Sequence, residues 1–339
     1  MAAEGEASCP VRMGYSEDDP ICGRILHVAP EGIDERPVCL MHSKDPDKQS
    51  GALFDAFWRE FERILETAGE GEAHFERFVF PRLDFRGREF QAICRFNGAS
   101  FTQKANFQNA IFIHDAFFHN TTFTKSANFR DATFTHKAIF VEATFTLFAN
   151  FHNATFTQTT NLNNATFAQI AGFRNATFAQ IASFHDTTFT EKAFFNNAIF
   201  SQKVDFTNAT FTQAADFTDT QFHGTADWRW SQFLEQAEFR YTKFLPKTKR
   251  KPSAIFSLTK FSKPSDVVFN DVDLSRVIFH DCDVSQFKFT SSVRWGKRKG
   301  NRGFSIYEET IDLEQEFAEE LKKEMDSATT TQSSRSISS

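Results

Sequence analysis

Four residues near the start of the chain have the types and the spacing to hold a metal ion. Cys9, Cys22, Cys39 and His42 follow the pattern C-x12-C-x16-C-x2-H, and residues 1–45 hold three of the five cysteines. The opening Met-Ala-Ala-Glu-Gly-Glu has neither an apolar run nor a basic flank, and no membrane span is read along the chain, so the expected compartment is the cytoplasm. In a reducing compartment, a short segment with little core of its own uses such residues for a metal rather than for disulfides. Thiolates and one imidazole suit tetrahedral Zn²⁺, and four protein ligands close the coordination sphere, so the expected site is structural. His27 is a substitute for His42 that lacks the tight pairing with a cysteine. The competing reading is three solvent-exposed thiols in a floppy tail.

The other residues capable of chemistry have simpler explanations. Cys94 lies two before Phe96 and Cys282 two before Val284, a spacing that makes both buried and inert. His114 and His136 are expected side by side, yet two neighbouring histidines do not complete a metal site. No phosphate loop, nucleophile elbow or His-Glu metal motif occurs, so no enzyme is expected. Two basic segments, 247–251 and 294–302, offer charge without a base-reading element, and predict weak, non-specific nucleic-acid binding at most.

These residues must be positioned by a strongly periodic chain. From Phe96 to Phe244 one large apolar residue returns at alternating intervals of five and six, with a small residue two before each, as in Ala105 before Phe107 and Ala127 before Phe129. A helix repeats at three and four and a sheet strand at two, so neither fits. A chain that turns a corner at each unit does, with its coils pairing at about 4.8 Å. Like must stack on like, so the number of sides is even. Two sides leave no room for Phe, and four sides give a coil of twenty-two residues.

The units Ala-Asn-Phe-Gln-Asn at 105–109 and Ala-Thr-Phe-Thr-Gln at 154–158 resemble the A-(D/N)-(L/F)-x-x unit of pentapeptide-repeat proteins. The resemblance covers about residues 78–290, with one extra residue in half of the units. It implies an all-β fold, a right-handed four-sided β-helix or β-solenoid; the family's functions are too various to transfer. Cys-Leu-Met-His at 39–42 is similar to the second half of a zinc knuckle with three cysteines and one histidine.

In order, the expected units are a zinc-binding segment at 1–45, a capping helix and linker at 46–77, the β-helix at 78–292, a basic segment with a second amphipathic helix at 293–326, and a disordered Ser/Thr-rich tail at 327–339. The first helix, 46 to about 68, carries Leu53, Phe54, Phe57, Phe61, Ile64 and Leu65 on one side, and Gly69 and Gly71 stop it. It would cover an end whose unpaired strand edges otherwise template aggregation.

Outward Thr residues flank the inward Phe at Thr133 and Thr135 or Thr155 and Thr157. They read as a solvated β surface before they read as an ice-binding array. Asn109, Asp131, Asn153, Asn175, Asn197 and Asp219 lie twenty-two apart and predict a polar ladder with corner hydrogen bonds. Leu147, Phe148 and Ile170 form an apolar spot able to seat a partner.

Net charge is −6, and residues 90–244 carry eleven Lys and Arg against eleven Asp and Glu. The leading expectation is therefore a non-enzymatic scaffold for an unidentified protein partner, with a homo-oligomer through the C-terminal end as one form. A DNA-mimic inhibitor of a DNA-processing enzyme such as a topoisomerase ranks behind it, because a mimic needs a negative surface. An ice-binding protein ranks third.

Overall fold

The computed structural model describes residues 8–13, 17–245, 251–290, 292–297 and 304–305. The expected second helix at 308–325, the tail at 327–339 and most of both basic segments lie outside the described residues.

The body is a β-solenoid of four parallel sheets, with ten, nine, ten and eight two- to four-residue strands. Register follows the twenty-two-residue coil: Thr122 pairs with Thr144, Ala127 with Ala149 and Thr133 with Thr155. The inward Phe residues consequently stack ring on ring. Phe129 and Phe151 are 4.9 Å apart at 1°, and Phe145 and Phe167 are 4.8 Å apart at 0°. That distance is the strand spacing, so backbone pairing and ring stacking reinforce each other. Trp228 takes one Phe position, stacked between Phe206 and Phe256, and Leu162 takes another.

The alternation of five and six has a backbone cause. Within each five-residue interval the chain makes a tight turn closed by a bond such as Ala110 N–H to Phe107 O, 3.0 Å, and its third residue has positive φ. That is the position at which a type II turn demands Gly or Asn. Gly87, Gly98, Asn109, Asn120, Asp131, Asn153, Asn164, Asn175, Asp186, Asn197, Asn208 and Asp219 fill it in phase. The expected ladder exists at part of this column, where Asn153 donates to Asp131 and Asn175 to Asn153 at 2.7 and 3.0 Å. A second ladder, unforeseen from the sequence, runs Asn150 to Asn128 to Asn106 to Asp84 at 3.0–3.1 Å.

Where Thr replaces Ala in the small inward slot its hydroxyl is satisfied at four positions, and Thr160 Oγ1 is buried without a hydrogen-bond partner. Thr121, Thr187, Thr220 and Thr242 each donate to a carbonyl of the preceding coil at 2.8–2.9 Å. Outward hydroxyls are used in the same way, Thr135 donating to Phe112 O and Thr157 to Phe134 O.

After Phe244 the coil lengthens. Gln232 pairs with Lys260 and Ala237 with Val267, the extra residues being taken up around 245–252 and in the 3-10 turn Pro264–Asp266. The following coil has the even five spacing, so that Phe269 pairs with Phe289. Phe287 occupies a slot meant for a small residue and packs against Phe261 at 4.9 Å. Cys94 is buried as expected, with burial pushing its thiol up, whereas Cys282 is half-buried because it belongs to this last coil.

At the other end, the first helix is α1 (Gly51–Ala68), preceded by a 3-10 turn over Pro46–Gln49. It starts later than the sequence periodicity suggests, because Pro46 and the side chain of Asp45 favour a separate turn and Gly51 has φ +67°. Phe57, Phe61 and Ile64 are buried, while Leu53, Phe54 and Leu65 are half-buried. Phe61 stacks on Phe75 at 4.7 Å, and the Arg88 guanidinium grips Glu62 at 2.5 Å. α1 lies on the open Phe stack and ends at Gly69 with φ +56°.

Candidate metal centre

Each of the four expected ligands is positioned by a different local constraint. Cys9 and Cys22 lie on facing strands of a short antiparallel hairpin, marked by the bridges Ser8–Ile25 and Arg12–Ile21. Cys9 N–H donates to Arg24 O and Cys22 N–H to Val11 O, both at 2.7 Å. Alternation turns Cys9 and Val11 inward and leaves Pro10 outside. Cys39 and His42 share one turn, in which the His42 and Ser43 amides both donate to Cys39 O at 3.0 Å. The two-residue separation is what lets a single turn present two donors to one point.

The donor atoms of Cys9, Cys22, Cys39 and His42 all lie within 4.8 Å of one another. Cys22 Sγ is 3.7 Å from Cys39 Sγ, and His42 Nδ1 is 3.2 Å from Cys39 Sγ and 3.4 Å from Cys9 Sγ. A tetrahedral Zn²⁺ with its usual bond lengths has S–S edges of about 3.8 Å and S–N edges of about 3.5 Å. The set therefore fits a metal ion of that size, and can hold one. The far ring nitrogen, His42 Nε2, is 3.1 Å from Glu76 O and donates to it, which leaves Nδ1 with its lone pair turned to the sulfurs.

His27, the alternative ligand, is engaged elsewhere: its Nε2 is 2.8 Å from Asp45 Oδ2 and it stands outside the cluster. Asp45 also accepts from the Asp47 amide at 2.9 Å. Burial pushes the Asp45 carboxyl up, but His27, the Asp47 amide and Lys48 outweigh it and hold the group below the usual carboxylate range.

Electrostatics favour thiolate at Cys22. The hydrogen bond from Cys39 is the largest influence; burial opposes it, and His42 and Arg24 add to it, so the Cys22 pKa is well below the thiol range. The same contact, together with burial, pushes Cys39 up. Three thiolates around a divalent cation leave one negative charge. Arg24 lies beside it, donating from Nη1 to Cys22 Sγ at 3.2 Å and from Nε to Glu60 of α1 at 2.8 Å, under the Phe78 ring. Sequence reading missed Arg24; its place two residues after Cys22, on the same inward face, was the available signal.

Lys48 was missed as well. It is buried, and its Nζ donates to Leu40 O at 3.1 Å, to Val79 O at 2.7 Å and to Ser43 O. The His42 ring meets Phe78 edge-on at 5.2 Å, and Val79 N–H donates to Met41 O at 2.8 Å. The ligand turn is thereby tied to the first coil of the solenoid.

The other candidate residues do not assemble a site. The His114 and His136 rings are 5.3 Å apart, and His136 Nδ1 donates to Ile113 O at 2.6 Å. Leu147, Phe148 and Ile170 are exposed as expected. No described helix is long and apolar enough to cross a membrane.

The repeat body matches a known family: Pentapeptide repeats (9 copies) align over residues 118–166, 162–210, 173–221 and 206–246. The matched span, residues 118–246, lies wholly within the solenoid. The strand ladder continues in register on both sides of that span, from the strand Glu72–His74 to the strand Lys288–Phe289.

Two solved structures are similar. HetL, a pentapeptide repeat protein involved in heterocyst differentiation regulation from the cyanobacterium Nostoc sp. strain PCC 7120, is 11% identical over 60% of this chain and 82% of its own, with a TM-score of 0.27. QnrB1, a plasmid-mediated fluoroquinolone resistance protein, is 16% identical over 66% of this chain and 86% of its own, with a TM-score of 0.26. No curated protein matches the chain.

Proposed function

We propose that the protein is a non-enzymatic, cytoplasmic interaction scaffold: a rigid pentapeptide-repeat rod whose N-terminal segment is folded around one structural Zn²⁺ and engages a protein partner. In this reading residues 1–45 form the metal module, 46–77 the cap and linker, 78–292 the rod and 293–326 a basic C-terminal segment. The observation that carries it is the convergence of Cys9, Cys22, Cys39 and His42 with a hydrogen-bonded outer shell, the one cluster of metal-ligating groups among the described residues. Four protein donors leave no open coordination position, which suits a structural role and not hydrolysis. When bound, the ion supplies a cross-link between the hairpin and the turn. Cys9 and Cys22 then fix the hairpin, and Cys39 and His42 fix it to the first coil.

The evenly mixed charge of residues 90–244 supports a scaffold over a DNA mimic. The outward Thr hydroxyls donated to coil carbonyls weigh against an ice-binding array. Metal analysis of untagged full-length protein is expected to find one zinc per chain, and Cys39→Ser is expected to abolish it. Metal at wild-type stoichiometry in Cys39→Ser would sink the site. Proximity crosslinking in cells tests the scaffold role, which fails if neither the wild type nor any variant captures a partner.

A further inference from the structure

We propose that Cys22 is a peroxide-reactive site: hydrogen peroxide oxidises its thiolate, Cys39 closes a Cys22–Cys39 disulfide, and the metal centre is thereby dismantled. The proposal rests on the metal reading above and adds a regulation of that same site.

The sulfurs of the cluster differ in access. Cys9 is 0% exposed, Cys39 1% and His42 6%, whereas Cys22 is half-buried, so Cys22 is the sulfur that a small polar oxidant reaches from solvent. Metal ligation itself keeps that sulfur a thiolate, the form that attacks a peroxide. Arg24 donates from Nη1 to Cys22 Sγ at 3.2 Å, and it is held in place by its Nε bond to Glu60 at 2.8 Å and by packing over the Phe78 ring. A guanidinium fixed there stabilises the negative charge that develops on the departing oxygen.

Distance and strand geometry select the second cysteine. Cys22 Sγ lies 3.7 Å from Cys39 Sγ. Cys9 stands opposite Arg24 and Cys22 opposite Val11, so Cys9 and Cys22 are diagonal neighbours on the hairpin, a separation of about 7–8 Å that exceeds the usual span of a disulfide.

The Cys22 thiolate attacks one oxygen of hydrogen peroxide; an S–O bond forms, the O–O bond breaks, and a sulfenic acid and hydroxide result. The Cys39 thiolate then attacks the Cys22 sulfur; an S–S bond forms, the S–O bond breaks, and a second hydroxide leaves. Two thiolates have lost two electrons and one peroxide has gained them. Cys9 and His42 are too few donors to hold the ion by themselves. The disulfide joins the hairpin to the ligand turn, as the ion would, so oxidation replaces a metal cross-link by a covalent one, a replacement that chelation alone does not supply.

The test treats untagged full-length protein, as purified, with hydrogen peroxide at neutral pH. Zinc release is followed with a chromogenic chelator, and peptide mass mapping locates the oxidised sulfurs. One zinc per chain is expected to leave as the Cys22–Cys39 disulfide forms, and dithiothreitol with added zinc should restore the starting state. Cys22→Ser should leave Cys39 a thiol. Arg24→Gln should slow disulfide formation by about tenfold or more, and Arg24→Lys should recover part of the rate. Cys282, also half-buried, is the internal reference and should remain a thiol while Cys22 reacts.

A disulfide that uses Cys9 or joins two chains overturns the proposal, as does a sulfinic acid at Cys22 with Cys39 still a thiol. Oxidation of Cys22 no faster than that of Cys282 also overturns it, because the site would then confer no selectivity. Zinc that is present and stays bound, with Cys22 reduced, removes this inference and leaves the metal reading standing. Protein without zinc as purified defeats the metal reading instead, and the peptide map then decides for Cys22 and Cys39 by itself.

Discussion

Replacing Phe178 by Ala removes a ring held on both faces. Its faces stack on Phe156 at 4.8 Å and on Phe200 at 4.7 Å, and Phe184 meets it edge-on at 5.9 Å. The surrounding backbone is pinned: Ala179 N–H donates to Phe156 O and Ser201 N–H to Phe178 O, both at 2.8 Å. Neighbouring coils held at strand spacing cannot settle into the gap. The lost side chain buries roughly 100 Å² more apolar surface than Ala, worth about 2.5 kcal/mol, and an unrelaxed cavity brings the expected loss to about 3–5 kcal/mol. Phe178→Leu should cost only about 1 kcal/mol, since Leu162 already occupies the equivalent place between Phe140 and Phe184. Exposed Gln180→Ala in the same coil should change stability by less than about 0.5 kcal/mol. Urea unfolding followed by circular dichroism and by coil-resolved hydrogen exchange measures all three. If Phe178→Ala falls within about 1 kcal/mol of Gln180→Ala, the stacked rings are not the core of the rod and the argument from periodicity fails.

Three further outcomes follow from the same geometry. One residue inserted between Asn153 and Ala154 should put every downstream Phe out of register and abolish cooperative folding, whereas a whole inserted twenty-two-residue coil should be tolerated, because each coil touches only its neighbours; equal damage in thermal melts would contradict the solenoid. Lys48→Met should destabilise the N-terminal end by about 1–3 kcal/mol, since three carbonyls lose their buried donor; hydrogen exchange should show the loss at 39–48 while the central coils stay protected. Metal affinity should fall as pH falls, because Cys39, whose pKa lies above the usual thiol range, must lose its proton to become a ligand; calorimetry in buffers of differing ionisation heat should register proton release on binding, and its absence would remove Cys39 from the site.

The rod was almost fully legible in the sequence because one side-chain type reports one geometric role. Phe at alternating five and six residues specifies the number of sides, the coil length and the inward face at once. The Asn/Asp column was legible in position but not in cause: its residues answer first to a backbone with positive φ and only secondarily to each other. The same requirement explains why Glu142, Trp230, Tyr241 and Leu258 could not be picked out, since each adopts that conformation, at about 1–2 kcal/mol apiece, without being a turn-forming residue type.

The convergence of the four cysteine and histidine positions was legible because that combination of residue types at that spacing suits a common centre, and their donor atoms do lie within 4.8 Å of one another. Arg24, Lys48 and Glu76 O were not, because the contacts that complete the site are fixed by tertiary docking and carry no spacing signal. Phe287 escaped for a related reason: it lies in the last described coil, where no stacked coil among the described residues covers its slot.

A solenoid has two ends, and the N-terminal one is closed by parts of unlike origin. α1 supplies the apolar lid, with Phe57 meeting Phe80 at 5.6 Å and Phe61 meeting Phe75 at 4.7 Å. The hairpin is joined to that lid through Arg24 and Glu60, and the ligand turn is joined to the first coil through Lys48, Val79 and the His42–Phe78 contact. A metal ion at Cys9, Cys22, Cys39 and His42 would link these two attachments to each other while touching none of the stacked rings. Its free energy of binding would therefore bear on how firmly the outermost layer holds together, and leave the Phe ladder unaffected. Metal occupancy and rod stability become separable quantities, so loss of the ion should loosen the hairpin and the ligand turn while the rod keeps its stability.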